Sequence, residues 1–204
     1  MGLLSYFPIQ DYISKYNIKT LVETGSGYGT GIKTAQKFKE LLDICSCEID
    51  LEQAENLKNE FSYDYRVSIF AGNSNDYLNS IFANKRFCKE KSILFWLDSH
   101  FPMADLGKAR FDDEKNLDIR LPLEKELDTI RAYRNPNFYQ DVIIIDDWRI
   151  YEKMDFHGGD LEKEGYGHII NYNTSFIEKW NKTHTINKIK TDTGYLELVP
   201  IQVN

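Results

Sequence analysis

Apolar positions along the chain recur at two periods, and the switching between those periods sets out the elements. Ile9, Tyr12, Ile13 and Tyr16 stand at helical spacing over residues 8–16, which predicts a short leading helix. Thr20, Leu21 and Val22 form a brief run with a β-branched bias that predicts the first strand. Glycines follow at 25, 27, 29 and 31, and then Ile32, Ala35, Phe38, Leu41 and Leu42 mark one face of a helix over 30–42, a stripe suited to covering a sheet. Further strands are predicted at 43–48, 66–71, 92–97 and 142–145, and further helices at 51–61, at 76–83, from Pro122 onward and around 174–180. The 92–97 run is apolar on both faces, as in a central parallel strand covered from either side. Two last strands, at 185–190 and 195–199, flank a tight turn containing Gly194 and read as a hairpin. The predicted fold class is α/β: a mostly parallel sheet with helices on both faces, closed by a C-terminal antiparallel hairpin.

The glycine turn is where a ligand is expected. Glycine lets backbone approach a ligand closely and tolerates positive φ, and the helix that follows starts with free N–H groups. Three ligand classes compete for it. A dinucleotide fingerprint G-x-G-x-x-G, begun at Gly25 and Gly27, needs a third glycine where Thr30 stands. A phosphate loop G-x-x-x-x-G-K-[ST] runs from Gly27 to Lys33 and Thr34 but meets Ile32 in place of its last glycine. An acidic residue two positions before G-x-G-x-G, in Glu23-Thr24-Gly25-Ser26-Gly27-Tyr28-Gly29, has no such defect. This stretch resembles the first motif of class I S-adenosylmethionine-dependent methyltransferases. The resemblance implies S-adenosylmethionine as cofactor, with residues Glu23, Thr24, Gly25, Ser26, Gly27, Tyr28 and Gly29 against it. It also extends to the seven-stranded Rossmann-like sheet of that family, whose last two strands form such a hairpin.

Ligands of open α/β sheets bind outside the carboxyl ends of the strands, so the residues just after each strand are expected to converge. Glu48, ending the second strand, is placed to accept from ribose hydroxyls, with Ile49 beside it. Asp50 reads as the N-cap of the helix that follows. In the methyltransferase reading, Asn73 and Ser74 lie at the adenine edge; the bland alternative is that they only cap a helix. After the fourth and fifth strands come Asp98-Ser99-His100 and Asp146-Asp147. Carboxylates gathered in one cleft repel unless protonated or neutralised by a cation, and an all-oxygen set suits Mg²⁺. The pairing resembles the metal site of cation-dependent O-methyltransferases of the catechol and macrolide-sugar types. That implies Asp98, Asp146 and Asp147 as Mg²⁺ ligands, with Asp98 also near the cofactor; otherwise Asp147 caps a helix and Asp98 meets the cofactor or a backbone amide. His100 has the pKa range to take a proton from a hydroxyl at neutral pH, or else holds structure or substrate. Phe101, Trp148 and Tyr151 are candidate walls of an acceptor pocket, and His157 and His168 are weaker loop candidates.

Composition narrows the rest. The 204 residues suit a single domain, 1–204, with excursions over the strand ends at 101–121 and 149–172. Hydrophobic residues make up 42% and charged ones 28%, and no apolar run approaches a membrane span. The start of the chain lacks the pattern of a secretion signal, so a cytoplasmic protein is expected. A formal charge of −7 argues against a broad nucleic-acid surface and leaves a small substrate as the default. The resemblance to cation-dependent O-methyltransferases, together with the polar, charged excursions, implies a hydroxylated acceptor such as a sugar or nucleotide-linked sugar, and a homo-oligomer is compatible with the sequence. Cys45, Cys47 and Cys88 lack C-x-x-C spacing and read as reduced thiols. The rival function is a nucleotide-dependent kinase or hydrolase using Lys33, Thr34 and Asp98; a third is a module that binds the cofactor without turnover.

Overall fold

Strand β1 (Thr20–Thr24) is an inner strand of the sheet and is buried at every position. The computed structural model describes residues 3–84, 87–159 and 172–201. Its other strands are β2 (Asp43–Glu48), β3 (Val67–Ala71), β4 (Leu94–Leu97), β5 (Val142–Ile145), β6 (His184–Ile189) and β7 (Tyr195–Pro200). They form one seven-stranded sheet in the order β3-β2-β1-β4-β5-β7-β6. Pairings from β3 to β5 are parallel, whereas β7 runs antiparallel to both β5 and β6. The predicted fold class is thus observed, with the final strand inserted inside the sheet rather than added at its edge.

Period-two alternation divides the core. Val22, Phe95, Leu97, Ile143 and Ile145 face one way and pack with α4 (Ser74–Ala83), α6 (Leu123–Tyr133) and the 3₁₀ turn Ser175–Trp180. Leu21, Ile44, Leu94, Trp96 and Ile144 face the other way, onto α1 (Ile9–Tyr16), α2 (Thr30–Ala35) and α3 (Leu51–Glu60). Full burial of one such aliphatic side chain contributes about 1.5–3 kcal/mol, so each face holds its helices by many moderate terms. Cys45 and Cys47 are buried free thiols; the side chain of Cys88 lies outside the described residues, as do His168 and residues 160–171 of the predicted 149–172 excursion.

One element is shorter than its periodicity predicts. The helix expected over 30–42 ends at Ala35, although Phe38 and Leu41 still pack inward. The cause is Arg66, at the entry to β3. Its Nη1 donates to the carbonyls of Phe38 and Leu41 and its Nη2 to that of Gln36, while Asp64 pairs with it at 2.7 Å. A side chain distant in sequence collects the carbonyls that another helical turn would have used. Conversely, α5 (Leu117–Arg120), capped by Asn116, forms inside a stretch whose charge pattern showed no period.

Candidate active site

The turn after β1 is held by β2. Gly25 N and Ser26 N both donate to Cys47 O, at 3.1 and 2.9 Å. Gly25 (φ +80°) is irreplaceable on two counts, because a Cβ there would lie 2.4 Å from the Asp98 carbonyl oxygen. Gly27 (φ +50°) differs: its Cβ would meet nothing within 4 Å, since it opens onto a cleft of about 800 Å³. Glu23, Gly25, Ser26, Gly27, Glu48, Ile49, Asn73, Ser74, Asp98 and His100 all line that cleft. Three expected contacts do not. Thr24 is buried beneath the turn, Tyr28 is half exposed, and Gly29 lies where a Cβ would strike the Phe61 ring and Leu57, so its small size serves the packing of α3.

The two leading acids hold the turn in different ways. Glu23 is 1% exposed, accepts from Ser46 Oγ, and presses Oε1 against Gly31 so closely that a Cβ there would lie 1.8 Å away. Burial pushes its carboxyl up to about 8, against the opposing pull of Ser46, so at neutral pH it is largely a neutral acid. Ser46 and Ser26 hydroxyls lie 2.6 Å apart and carry that bond into the turn. Glu48 accepts from Gly27 N and Asp50 N, each at 2.9 Å, tying the end of β2 to the glycine loop. Asn73 caps α4 through Asp76 N, and Asp50 caps α3 through Gln53 N. Lys108 reaches back from the 101–121 excursion to Asp50 and Glu52, and Phe101, Met103 and Leu106 of the same stretch wall the cleft.

Lys33, which a phosphate loop would aim at a nucleotide, pairs with Glu60 at 2.8 Å and lies over the Phe61 ring. Neither Lys33 nor Thr34 lines the cleft, so this geometry does not serve the nucleotide reading.

Asp98, His100, Asp146 and Asp147 meet at the ends of β4 and β5. Asp98 N donates to Thr24 O and Asp146 N to Leu97 O, which sets both carboxylates by backbone pairing. Asp147 adopts a left-handed conformation (φ 51°) and places Oδ2 2.9 Å from His100 Nε2 and Oδ1 3.3 Å from Arg149 Nε. His100 Nδ1 lies 3.6 Å from Asp98 Oδ1. Burial alone would raise the Asp147 carboxyl, yet the His100 hydrogen bond and charge bring it down to about 2. Its neighbours show the opposite: burial and then Asp147 lift Asp146 to about 6, and burial with the charges of Asp146 and Asp147 raises Asp98 well above the usual carboxylate range. Burial opposes a charge on His100, but its bond to Asp147 prevails and raises its pKa. The imidazole thus stands at the centre of the carboxylates that the sequence assigned to Mg²⁺. Among the described residues, no three His, Cys, Asp or Glu side chains are arranged to hold one metal ion.

Phe101 lines the cleft, Tyr151 lines a smaller space beside it, and Trp148 packs in the core with its Nε1 donating to Glu152. His157 is exposed. Sequence reasoning missed Glu126, on the inward face of α6 beside Leu123, Leu127 and Ile130, where it is 1% exposed. Burial raises its carboxyl to about 7, with Thr24 and Ser74 drawing it back down. The available signal was a glutamate on an otherwise apolar helical stripe.

No protein-family model matches this sequence, and no curated protein matches it. Solved structures do share its architecture. A Staphylococcus aureus protein assigned as a caffeoyl-CoA O-methyltransferase superposes with a TM-score of 0.58 at 14% identity, covering 98% of this chain and 85% of its own. A Corynebacterium glutamicum protein gives 0.52 at 11% identity, covering 92% and 74%. Strand order, the internal antiparallel β7 and these neighbours together show that the chain has the class I methyltransferase fold.

Proposed function

We propose that the protein transfers the methyl group of S-adenosylmethionine to an oxygen of a small polar acceptor, such as a sugar or nucleotide-linked sugar. The observation that carries this reading is one cleft lined both by the glycine turn, with its paired acids, and by a histidine oriented by a partly buried carboxylate. The open side of Gly27 fits a ligand lying against the turn. Bound there, the cofactor supplies an electrophilic sulfonium methyl. Glu48 and Asn73 offer acceptors towards hydroxyl and amino groups, and Asp98 faces the reaction side. Asp147 holds His100 with Nε2–H donating to it, which leaves Nδ1 to accept the proton of the acceptor hydroxyl.

Calorimetric titration with S-adenosylhomocysteine, with ATP as competitor, is the test. Saturable binding that ATP does not disturb is expected; ATP binding without the homocysteine adduct ends the proposal. Alanine at Gly27 should leave the fold within about 1–2 kcal/mol of wild type yet weaken that binding at least tenfold, because the new methyl enters the cleft. Alanine at Gly25 should cost more stability than alanine at Gly27, since it must also displace the Asp98 backbone.

Metal assistance by Asp98, Asp146 and Asp147 is the finer form of this reading. Their chemistry suits Mg²⁺, but as the side chains stand they do not fit it, because Asp147 is engaged by His100 and Arg149. Turnover is therefore expected to survive chelation by EDTA within about twofold. A tenfold or greater loss restored by added Mg²⁺ would return the ion to the mechanism.

A further inference from the structure

Glu126 takes no part in the chemistry above, and its position is an expensive place for a carboxyl. Its oxygen Oε1 is fully buried and makes no hydrogen bond of good geometry, although the Thr24 and Ser74 hydroxyls lie near enough to the carboxyl to favour its ionised form, and an unmet buried acceptor costs about 1–3 kcal/mol. A leucine at this point of α6 would continue the stripe of Leu123, Leu127 and Ile130 without that penalty. Glu126 lines a small polar space together with Ser99, His100, Asp146 and Tyr151, over an apolar floor of Leu97, Leu123 and Ile145. Ser99 and His100 line this cavity and the larger cleft alike, so the two spaces share a wall made of the residue assigned to take the proton. The smaller space has room for about one water molecule, and so for a single hydroxyl or ammonium group rather than a sugar ring. Its buried acceptors call for a hydrogen-bond donor.

We propose that Glu126 is a specificity-determining residue of the acceptor site, receiving a hydroxyl or ammonium group borne on the carbon next to the methylated oxygen. The acceptor class is then a vicinal diol or a vicinal amino alcohol. The inference rests on the methyltransferase reading. A site built around a buried acceptor rejects an analogue that lacks the donor, because the acceptor is left unpaired.

The test is a panel of methyl hexosides with their amino-deoxy and monodeoxy counterparts, assayed by release of S-adenosylhomocysteine, with wild type, Glu126→Gln and Glu126→Leu. Wild type should turn over diol and amino-alcohol members at least tenfold better, in kcat/KM, than the matched monodeoxy compounds. Glu126→Leu should raise KM for the first two groups at least tenfold, leave the monodeoxy compounds unchanged and so erase the preference. Its affinity for S-adenosylhomocysteine should stay within twofold of wild type. Glu126→Gln keeps the side-chain shape and should show an intermediate loss, so the proposal stays testable if the leucine variant folds poorly. Equal loss on every acceptor, or loss of homocysteine-adduct binding in the Gln variant, would make Glu126 a structural brace and overturn the proposal. So would wild type that binds the adduct but turns over no panel member, or that ignores the missing donor. Failure of wild type to bind the adduct at all strikes the methyltransferase reading instead.

Discussion

Alanine in place of His100 is expected to lower the rate of methyl transfer by about a thousandfold, the middle of the range for a positioned general base. Affinity for S-adenosylhomocysteine should stay within about threefold, since the glycine turn and Glu48 are untouched. The pH profile gives the sign. His100 accepts a proton only when neutral, and its hydrogen bond to Asp147 raises its pKa above the usual histidine value despite burial. Single-turnover rates should therefore climb as pH rises through that raised pKa and level off above it. The stability contribution runs the other way. The protonated form favours the fold fully below the unfolded pKa of about 6.5, and that contribution is lost as pH rises through the folded value. Asparagine at Asp147 removes the charge and should move the rising limb to lower pH while reducing the plateau at least tenfold. A flat profile, or His100→Ala retaining more than a tenth of the rate, would remove His100 from the chemistry.

The largest expected effect on stability lies at the opposite end of the sheet. Arg134 is fully buried. Its Nε and Nη2 each donate to Asp141 at 2.7 Å, and Nη1 and Nη2 also donate to the carbonyls of Phe87 and Glu90. Asp141 in turn accepts from Ile93 N, just before β4, and its own carbonyl lies 3.0 Å from His184 Nε2 at the start of β6. Burial pushes the Asp141 carboxyl up even with Arg134 beside it, so the pair stays ionised only while all its bonds are present. Arg134→Ala strands a buried carboxylate and should destabilise the protein by about 3–5 kcal/mol. Urea denaturation should show this as a lower midpoint with an unchanged slope. Removing both charges, in Arg134→Met/Asp141→Leu, should recover much of the loss; a single variant within 1 kcal/mol of wild type would show that the network holds nothing.

Much of this architecture is readable from local pattern. Strands 43–48 and 142–145 are observed at their expected bounds because buried parallel strands are apolar runs cut off by acidic residues, and α4 starts near the expected place because Asn73 announces a cap. The end of α2 was not readable, since Arg66 lies some thirty residues further along. The candidate site divides similarly. Strand-end geometry brings Asp98, His100, Asp146 and Asp147 together as expected, but no spacing rule states that Asp147 turns to a histidine and an arginine rather than to an ion. Glu126 was hidden because helical periodicity assigns its position to packing.

The location of β7 bears on how the molecule comes into being. The last of the seven strands to leave the ribosome is an inner one, and the only pairing of β6 among the described strands is with it. Synthesis proceeds from the N-terminus, so β1 to β5 have their parallel neighbours early, whereas β6 emerges with nothing to dock on. The backbone that shapes the Asp147 turn is completed from the same late segment, through Trp148 N to Gly194 O and Arg149 N to Thr193 O. Nascent chains should thus lack the histidine–carboxylate geometry until that segment has emerged and paired.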